Sequence, residues 1–472
     1  MCNYLYIEPT LGELSQRKIE IYLNTWKNRN HLPLIIKGAR QIGKTTSILN
    51  FAQKNYSSVI YINFYENPEY KQIFNDGYSV NSIIRNLSFM RPDFQFIPHD
   101  TLIFFDEIQE YMDATTSLKF FSIDNNYDVI CSGSSLGVKY KNISSVSVGY
   151  KEDIEMYSLD FEEFLWANGY SEIQINSLID NILQLKPYSS LFINQMNKLF
   201  MDYIIVGGMP AIVNHYIQTN NFSNLLDMQK QLLKDYDDDI GKYATGLESS
   251  RIRNMFRHIA PQLGKDNHKF QITKLGHGAR SYQYKGCEEW LSDAGVINTC
   301  YCLNQLELPL KGNENQENYR IYFSDTSLLL ASLDDESQND LRLNKNLNVY
   351  KGALYENFCA ETLRKQGYGL YYYRSEDSRT ELDFLLRIKD NIVPIEVKAC
   401  KAKARSLSTV INDESLSSIQ YGIKYSMNNI GAENKIITLP YFTLFLLKQV
   451  LNQIEDTPLQ KYIDDCIKSS LV

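Results

Sequence analysis

Gly38-Ala39-Arg40-Gln41-Ile42-Gly43-Lys44-Thr45-Thr46 is the stretch that decides how the rest of the chain is read. It follows the apolar run Leu34-Ile35-Ile36, which predicts a short buried strand, and leads into Ser47-Ile48-Leu49-Asn50-Phe51-Ala52, whose apolar residues recur at helical spacing. The pattern is strand, glycine loop, helix. A triphosphate needs backbone N–H groups close to its oxygens, and a Cβ at Gly38 or Gly43 would block that approach. The N-terminal end of the new helix adds positive potential. Lys44 supplies a mobile cation for the β- and γ-phosphates, and the Thr45 hydroxyl is the expected ligand of a Mg²⁺ ion. All nine residues from Gly38 to Thr46 are therefore expected to contact ATP.

Working outward, Ser58-Val59-Ile60-Tyr61-Ile62-Asn63-Phe64 reads as a second strand, and Thr101-Leu102-Ile103-Phe104-Phe105-Asp106-Glu107 as a buried strand ending in two carboxylates. Strands alternating with helices predict a parallel sheet covered on both faces, with ligands at the carboxyl ends of its strands. At that edge Asp106 would hold Mg²⁺ directly or through water, and Glu107 would orient the attacking water. The next strand, Tyr127-Asp128-Val129-Ile130-Cys131, ends in Ser132-Gly133-Ser134-Ser135. Those hydroxyls either sense the γ-phosphate or the attacking water, or form a turn. Residues before Leu32, with Leu14, Ile19, Ile21, Leu23 and Trp26, read as an entry helix.

At 472 residues the chain is long enough for several domains, and 44% hydrophobic with 22% charged residues is ordinary globular composition. The start, Met1-Cys2-Asn3-Tyr4-Leu5, turns polar at once, and no run approaches the roughly 18 apolar residues of a membrane span. A cytoplasmic protein without membrane partners is the expectation. The eight cysteines are scattered, Cys300 and Cys302 being closest, which predicts reduced and mostly buried thiols. A net charge of −8 argues against indiscriminate polyanion binding while leaving room for a local basic groove.

Together with Leu159-Asp160-Phe161-Glu162-Glu163-Phe164-Leu165, these motifs resemble a widespread prokaryotic family of AAA-type ATPases whose members end in an uncharacterised domain resembling PD-(D/E)xK nucleases. Val206-Gly207-Gly208-Met209-Pro210, Tyr322-Phe323-Ser324-Asp325-Thr326 and residues 352–399 also fit that resemblance, which covers nearly the whole chain. It implies an α/β protein with an AAA-type P-loop core at 1–170, a helical connector at 171–250, a winged-helix-like segment at 251–335 and a nuclease-like α/β domain at 336–472. AAA-type sites usually borrow an arginine from a neighbouring subunit, so a homo-oligomer is compatible. Arg85 and Arg91 follow the second strand, but the finger stays unassigned.

Within the connector, the glycine pair Gly207-Gly208 and Pro210 mark a tight turn between helices, and the acidic run Asp235 to Asp239 reads as a solvated face in preference to a metal site. From Arg251 to Lys285 the balance turns basic: Arg251, Arg253, Arg257, Lys265, Lys269, Lys274, Arg280 and Lys285 stand against Asp266. Helices at 252–263, 273–280 and 282–294, strands at 296–303 and 319–323 and a wing loop at 311–318 would resemble a winged helix, a class that often binds DNA. Acids in the third helix, Glu288, Glu289 and Asp293, weaken major-groove reading. Residues 331–348 read as a linker.

Downstream, a helix from Tyr350 to Leu363 precedes strands at Leu370–Arg374, Glu381–Arg387 and Ile392–Ala399. Facing strands would make neighbours of Asp383 and Glu396, and the two-residue period sends Glu396 and Lys398 to one face. Two carboxylates and a lysine suit metal-assisted phosphodiester hydrolysis: Asp383 and Glu396, with Glu356 as a third acid, would hold Mg²⁺ while Lys398 orients water. Glu381-Leu382-Asp383 stands where the nuclease motif has Pro-Asp. Lys398, Lys401, Lys403 and Arg405 form a basic edge beside this group. The expectation is a Mg²⁺-dependent ATPase coupled to a DNA-engaging, cleavage-capable C-terminal half. The alternative is an ATP-controlled switch whose nuclease-like part only binds nucleic acid or protein.

Overall fold

The computed structural model describes residues 16–134, 147–244, 246–265, 268–333, 335–343, 345, 349–377, 380–398, 404–413, 415–416 and 418–468. The readings placed on Met1 to Leu5, Leu14, Ser135, Asp266, Ala399, Lys401 and Lys403 lie outside them. The chain is an α/β protein that divides into two compact units, one running to Ser158 and including Asp293–Gly295, the other formed by Leu159–Ser292 and the residues from Val296 on.

The first unit is built on a five-stranded parallel sheet of β1 (Leu34–Lys37), β2 (Ser58–Asn63), β3 (Thr101–Asp106), β4 (Asp128–Gly133) and β5 (Glu152–Glu155), in the order β2-β3-β4-β1-β5. β3 is buried along its whole length, as its unbroken apolar run requires of a strand covered on both faces. Ile60, Ile62, Ile103, Phe105, Val129 and Cys131 project from neighbouring strands into one core with Ile83 and Leu87 of the Val80–Met90 helix. The entry helix is Lys18–Lys27, burying Ile19, Leu23 and Trp26 while Ile21 faces out.

The second unit opens with helices Phe161–Ala167, Glu172–Leu183, Ser190–Val206, Pro210–Thr219 and Leu225–Tyr243. Two mixed sheets follow. The first holds β6 (Ile297–Leu303), β7 (Glu314–Phe323), β8 (Tyr371–Arg374) and β9 (Glu381–Leu382), in the order β7-β6-β8-β9. The second holds β10 (Phe384–Ile388), β11 (Asn391–Lys398), β12 (Gly422–Ser426), β13 (Gly431–Glu433) and β14 (Ile436–Pro440), in the order β10-β11-β12-β14-β13. Asp383 is the one residue between β9 and β10, so the chain changes sheets there.

Three expectations in this unit need correction. The wing loop at 311–318 is largely strand: β7 starts at Glu314, and Glu314 and Asn315 pair with Leu303 and Cys302. Polar residues suit an edge strand, because its backbone is paired on one side while its side chains face water. The helices expected at 273–280 and 282–294 shrink to 3₁₀ turns at Ile272–Lys274 and Ser281–Gln283 and a helix at Cys287–Asp293. Gly278 and Gly286, both in left-handed backbone (φ 79° and 86°), interrupt them. The 331–348 linker contains the Ser337–Arg342 helix, which buries Leu341 and Gln338. Moreover, β6 pairs with β8 in parallel, so one sheet bridges residue 335.

Three distant turns of this unit meet in one buried hydrogen-bond circuit. The Leu159 amide donates to the Gly208 carbonyl at 2.7 Å, and the Gly208 amide to Asp325 Oδ2 at 2.8 Å. A Cβ on Gly208 would sit 1.9 Å from the Leu159 carbonyl oxygen, so only glycine permits this approach. Tyr203 and Lys365 both donate to that same oxygen and to Glu361, which also accepts from the Thr326 amide and hydroxyl. The motifs at Leu159, Gly207-Gly208 and Asp325-Thr326 thus share a structural role.

Candidate functional site

β1 delivers the chain into the glycine loop, and the Lys44–Asn55 helix leaves it with Gly43 at its N-cap (φ 86°). Gly38 is also in a backbone conformation that glycine favours (φ 151°), and a Cβ there would lie 2.2 Å from the Met156 carbonyl oxygen. Lys44 is buried, and its Nζ donates to the carbonyls of Gly38 (3.0 Å) and Ala39 (2.7 Å). Burial lowers its pKa to about 8, against the opposing pull of Glu107 and Asp106. Arg40 Nε donates to Ser134 Oγ at 3.3 Å.

The sheet order explains how the acids reach this loop. β4 lies between β1 and β3, so Ser132 at the end of β4 stands between the loop and Asp106. Asp106 accepts from the Thr45 hydroxyl (2.8 Å), the Tyr61 hydroxyl (3.1 Å), the Ser132 hydroxyl and the Glu107 amide (3.0 Å). The Ser132 hydroxyl therefore bonds the acid rather than forming only a turn. Glu107 has left-handed backbone (φ 52°), and its carboxylate accepts from the Gln109 side chain. Tyr61 and Gln109 carried no sequence signal of this role. Arg85 and Arg91 are ion-paired with Asp76 and Asp93 within the unit.

No ligand is needed to test the fit of Mg²⁺. Thr45 and Asp106 place a hydroxyl and a carboxylate in contact beside the loop, the hard oxygen donors this ion takes.

The second expected group lies around the change of sheets. Phe384 pairs with Ile395, and Asp383 Oδ2 accepts the Val397 amide at 2.8 Å, which sets Asp383 beside Glu396. Burial, then Glu396, then Glu356 push the Asp383 carboxyl well above the usual range. Glu396 is raised too, by burial, although it is ion-paired with Lys398, and its Oε2 is buried with no partner among the described residues.

Glu356 behaves differently. It accepts from His268 Nδ1 (2.8 Å) and the Tyr322 hydroxyl (3.2 Å), and Arg320 Nη1 lies 3.5 Å away. Against its burial, His268 and Arg320 lower its pKa to about 2. Arg320 is itself fully buried, is paired with Glu381 and lies over the Tyr372 ring. Among the described residues no group of three or more His, Cys, Asp and Glu side chains is arranged to hold a metal ion. Glu356, expected as the third acid, is held by the Arg320 guanidinium and the His268 ring.

Of the basic segment, Arg253 and Arg257 are ion-paired with Asp237, so part of the acidic run answers part of the basic one. Lys274, Arg280 and Lys285 are exposed, and burial and the nearby Lys274 lower the pKa of Lys265.

Residues 30–165 match the family model described as AAA domain. Most of that match falls within the first unit, over the glycine loop and the strand that ends in Asp106. Residues 197–339 and 351–442 match two models described as Domain of unknown function, DUF8612 and DUF4143. The chain is 25% identical over 369 residues to the uncharacterized protein MJ1544 of Methanocaldococcus jannaschii, covering 75% of this chain and 71% of that one. Among solved structures it is similar to the Walker-type ATPase PABY2304 of Pyrococcus abyssi (13% identity, TM-score 0.40, 67% of this chain and 95% of that one). It is also similar to Cdc6p from Pyrobaculum aerophilum (11% identity, TM-score 0.23, 70% and 93%). Among the described residues no helix is long and apolar enough to cross a membrane.

Proposed function

We propose that this protein is a Mg²⁺-dependent ATPase whose second unit engages DNA. The observation that carries the ATPase reading is the Thr45 to Asp106 contact beside a loop whose lysine is buried against its own carbonyls. Lys44 exchanges those carbonyls for phosphate oxygens, and the amides from Gly38 to Thr46 line the phosphates. Thr45 and Asp106 hold Mg²⁺, which when bound offsets phosphate charge. Glu107 orients the attacking water, and Gln109 fixes the direction of its carboxylate. Ser132 keeps Asp106 aimed at the loop. ATP turnover, measured with and without DNA, tests this: it should disappear in Lys44→Ala, and Glu107→Gln should retain ATP without releasing product. Unchanged turnover in both variants would overturn the assignment.

For DNA, the supporting observation is the exposed Lys274, Arg280 and Lys285 in an otherwise acidic chain. Affinity of the full chain should fall steeply with salt, and more weakly so after Lys274→Ala and Arg280→Ala. Cleavage is a second reading, favoured by the partnerless buried Glu396 Oε2 beside Asp383. In it Asp383 and Glu396 hold the metal and Lys398 faces the phosphate. Mg²⁺-dependent nicking that vanishes in Asp383→Asn would support cleavage. Its absence in the parent, with DNA binding intact, would leave the ATP-controlled switch.

A further inference from the structure

Where a winged helix would place its second and third helices, residues 268–286 form a loop with 3₁₀ turns at Ile272–Lys274 and Ser281–Gln283. The loop is closed at its neck. Asn254, on the Gly246–Arg257 helix, donates through its side-chain amide to the Leu275 carbonyl (2.8 Å) and to the Tyr284 hydroxyl (2.9 Å). Leu275 and Tyr284 are both buried. Upstream, the His268 ring is bonded to Glu356, and the Phe270 amide donates to the Tyr319 carbonyl at 2.8 Å. These anchors hold the tip in place without a helix beneath it.

The surface so presented carries one sign of charge. No Asp or Glu occurs between His268 and Cys287. Lys274, Arg280 and Lys285 are exposed, and none of the three is ion-paired among the described residues. Burial, and then the nearby Lys274, lowers the Lys265 pKa, so a fourth cation lies close to the first. A Cβ on Gly276 or Gly278 would meet nothing within 4 Å, which leaves the main chain open to a ligand there. Between Arg280 and Lys285 stands Tyr282, 70% exposed and the only exposed large apolar side chain among the described residues between Leu247 and Leu343.

Cations alone would suit any polyanion. An uncovered ring among them adds a flat apolar face, which a nucleic acid can cover only where its bases are unstacked. A duplex keeps its bases stacked and is read through its grooves. The helix available to enter a groove, Cys287–Asp293, has only seven residues and carries Glu288 and Glu289. Glu288 moreover accepts from the Thr299 and Tyr301 hydroxyls of β6, so part of that helix faces the sheet. We propose, resting on the DNA engagement above, that the 268–286 loop takes single-stranded DNA, its phosphates on Lys274, Arg280 and Lys285 and a base stacked on Tyr282.

The test measures fluorescence anisotropy of the full chain with a labelled oligothymidylate of about 20 nucleotides, long enough for one such site, and with a duplex of equal length. Unlabelled poly-glutamate serves as competitor. The strand should bind about tenfold more tightly than the duplex. Tyr282→Ala, a change at an exposed side chain, should weaken the strand by about tenfold and the duplex little, whereas Tyr282→Phe, which keeps the ring, should bind like the parent. Arg280→Ala and Lys285→Ala should weaken strand and duplex alike, each lowering the salt slope for the strand by about 0.7. Three outcomes would overturn the proposal: a duplex bound as tightly as the strand, Tyr282→Ala without selective effect on the strand, or poly-glutamate displacing the strand at equal charge concentration. Failure of DNA engagement itself has a different signature, namely no salt-dependent binding of either strand or duplex.

Discussion

Asp106 and Glu356 are both buried carboxylates, the first at the end of a strand and the second on a helix, yet they are held in opposite ways. Around Asp106 the donors are neutral: three hydroxyls and a backbone amide, while Lys44 spends its hydrogen bonds on loop carbonyls. Around Glu356 the donors are the His268 ring and the Tyr322 hydroxyl, and the Arg320 guanidinium is ion-paired with it. Hydroxyls orient a carboxylate without cancelling its charge, so the first is suited to a divalent ion that arrives with substrate. An internal guanidinium cancels the charge permanently. Such a carboxylate holds the fold together and has little left for a metal.

The largest expected effect lies on the phosphate side of this comparison. Lys44→Ala should reduce ATP turnover by a factor on the order of 10² to 10³, the scale for losing one preorganised charge donor at a transferring phosphoryl group. Next comes the direct contrast of the two acids. Asp106→Asn should lower Mg²⁺-dependent turnover by about a hundredfold, whereas its urea midpoint should move little. Glu356→Gln should do the reverse, costing about 3 kcal/mol or more in urea unfolding, because it leaves the buried Arg320 with Glu381 alone and removes the carboxylate that His268 bonds, while nucleotide affinity is unchanged. If Glu356→Gln abolished Mg²⁺ binding at the second centre without loss of stability, the contrast would collapse.

Two smaller effects concern pH. Lys44, lowered to about 8 in the free protein, loses its proton as pH rises through that value, so ATP affinity should weaken by up to about tenfold per unit above pH 8. Isothermal titration between pH 7 and 9.5 reads this slope, with those limits chosen to bracket that value at roughly one unit either side. Glu356 has the opposite sign. Its folded pKa of about 2 lies below the ordinary 4.5, so its stabilisation is present above about 4.5 and is lost as pH falls toward 2. The acid limb of the urea midpoint should flatten in Glu356→Gln.

The first centre was legible because its parts are local in sequence. A glycine loop states its own geometry, and an apolar strand ending in Asp106-Glu107 states where its acids emerge. What could not be read was the company those acids keep. Tyr61 and Ser132 reach Asp106 across 45 and 26 residues, through a sheet order that periodicity does not reveal. The second centre was harder. Asp383 and Glu396 come from one hairpin and so were visible as neighbours, but Arg320 and His268 enter from a strand and a loop assigned to a winged-helix-like segment. Edge-strand polarity disguised β7 as a loop, and glycines in left-handed backbone shortened the helices on which that reading relied.

The circuit through Leu159, Gly208 and Asp325 bears on how the second unit can be dissected. Its bonds join residues 159, 203, 208, 325, 326, 361 and 365, so severing the backbone near 250 or 335 leaves each fragment with half of a set of buried donors and acceptors. Neither half can satisfy them with water while keeping its apolar face covered. The fragments expressed apart should precipitate, and expressed together they should reassociate, as expected of a unit that folds cooperatively across its sequence landmarks.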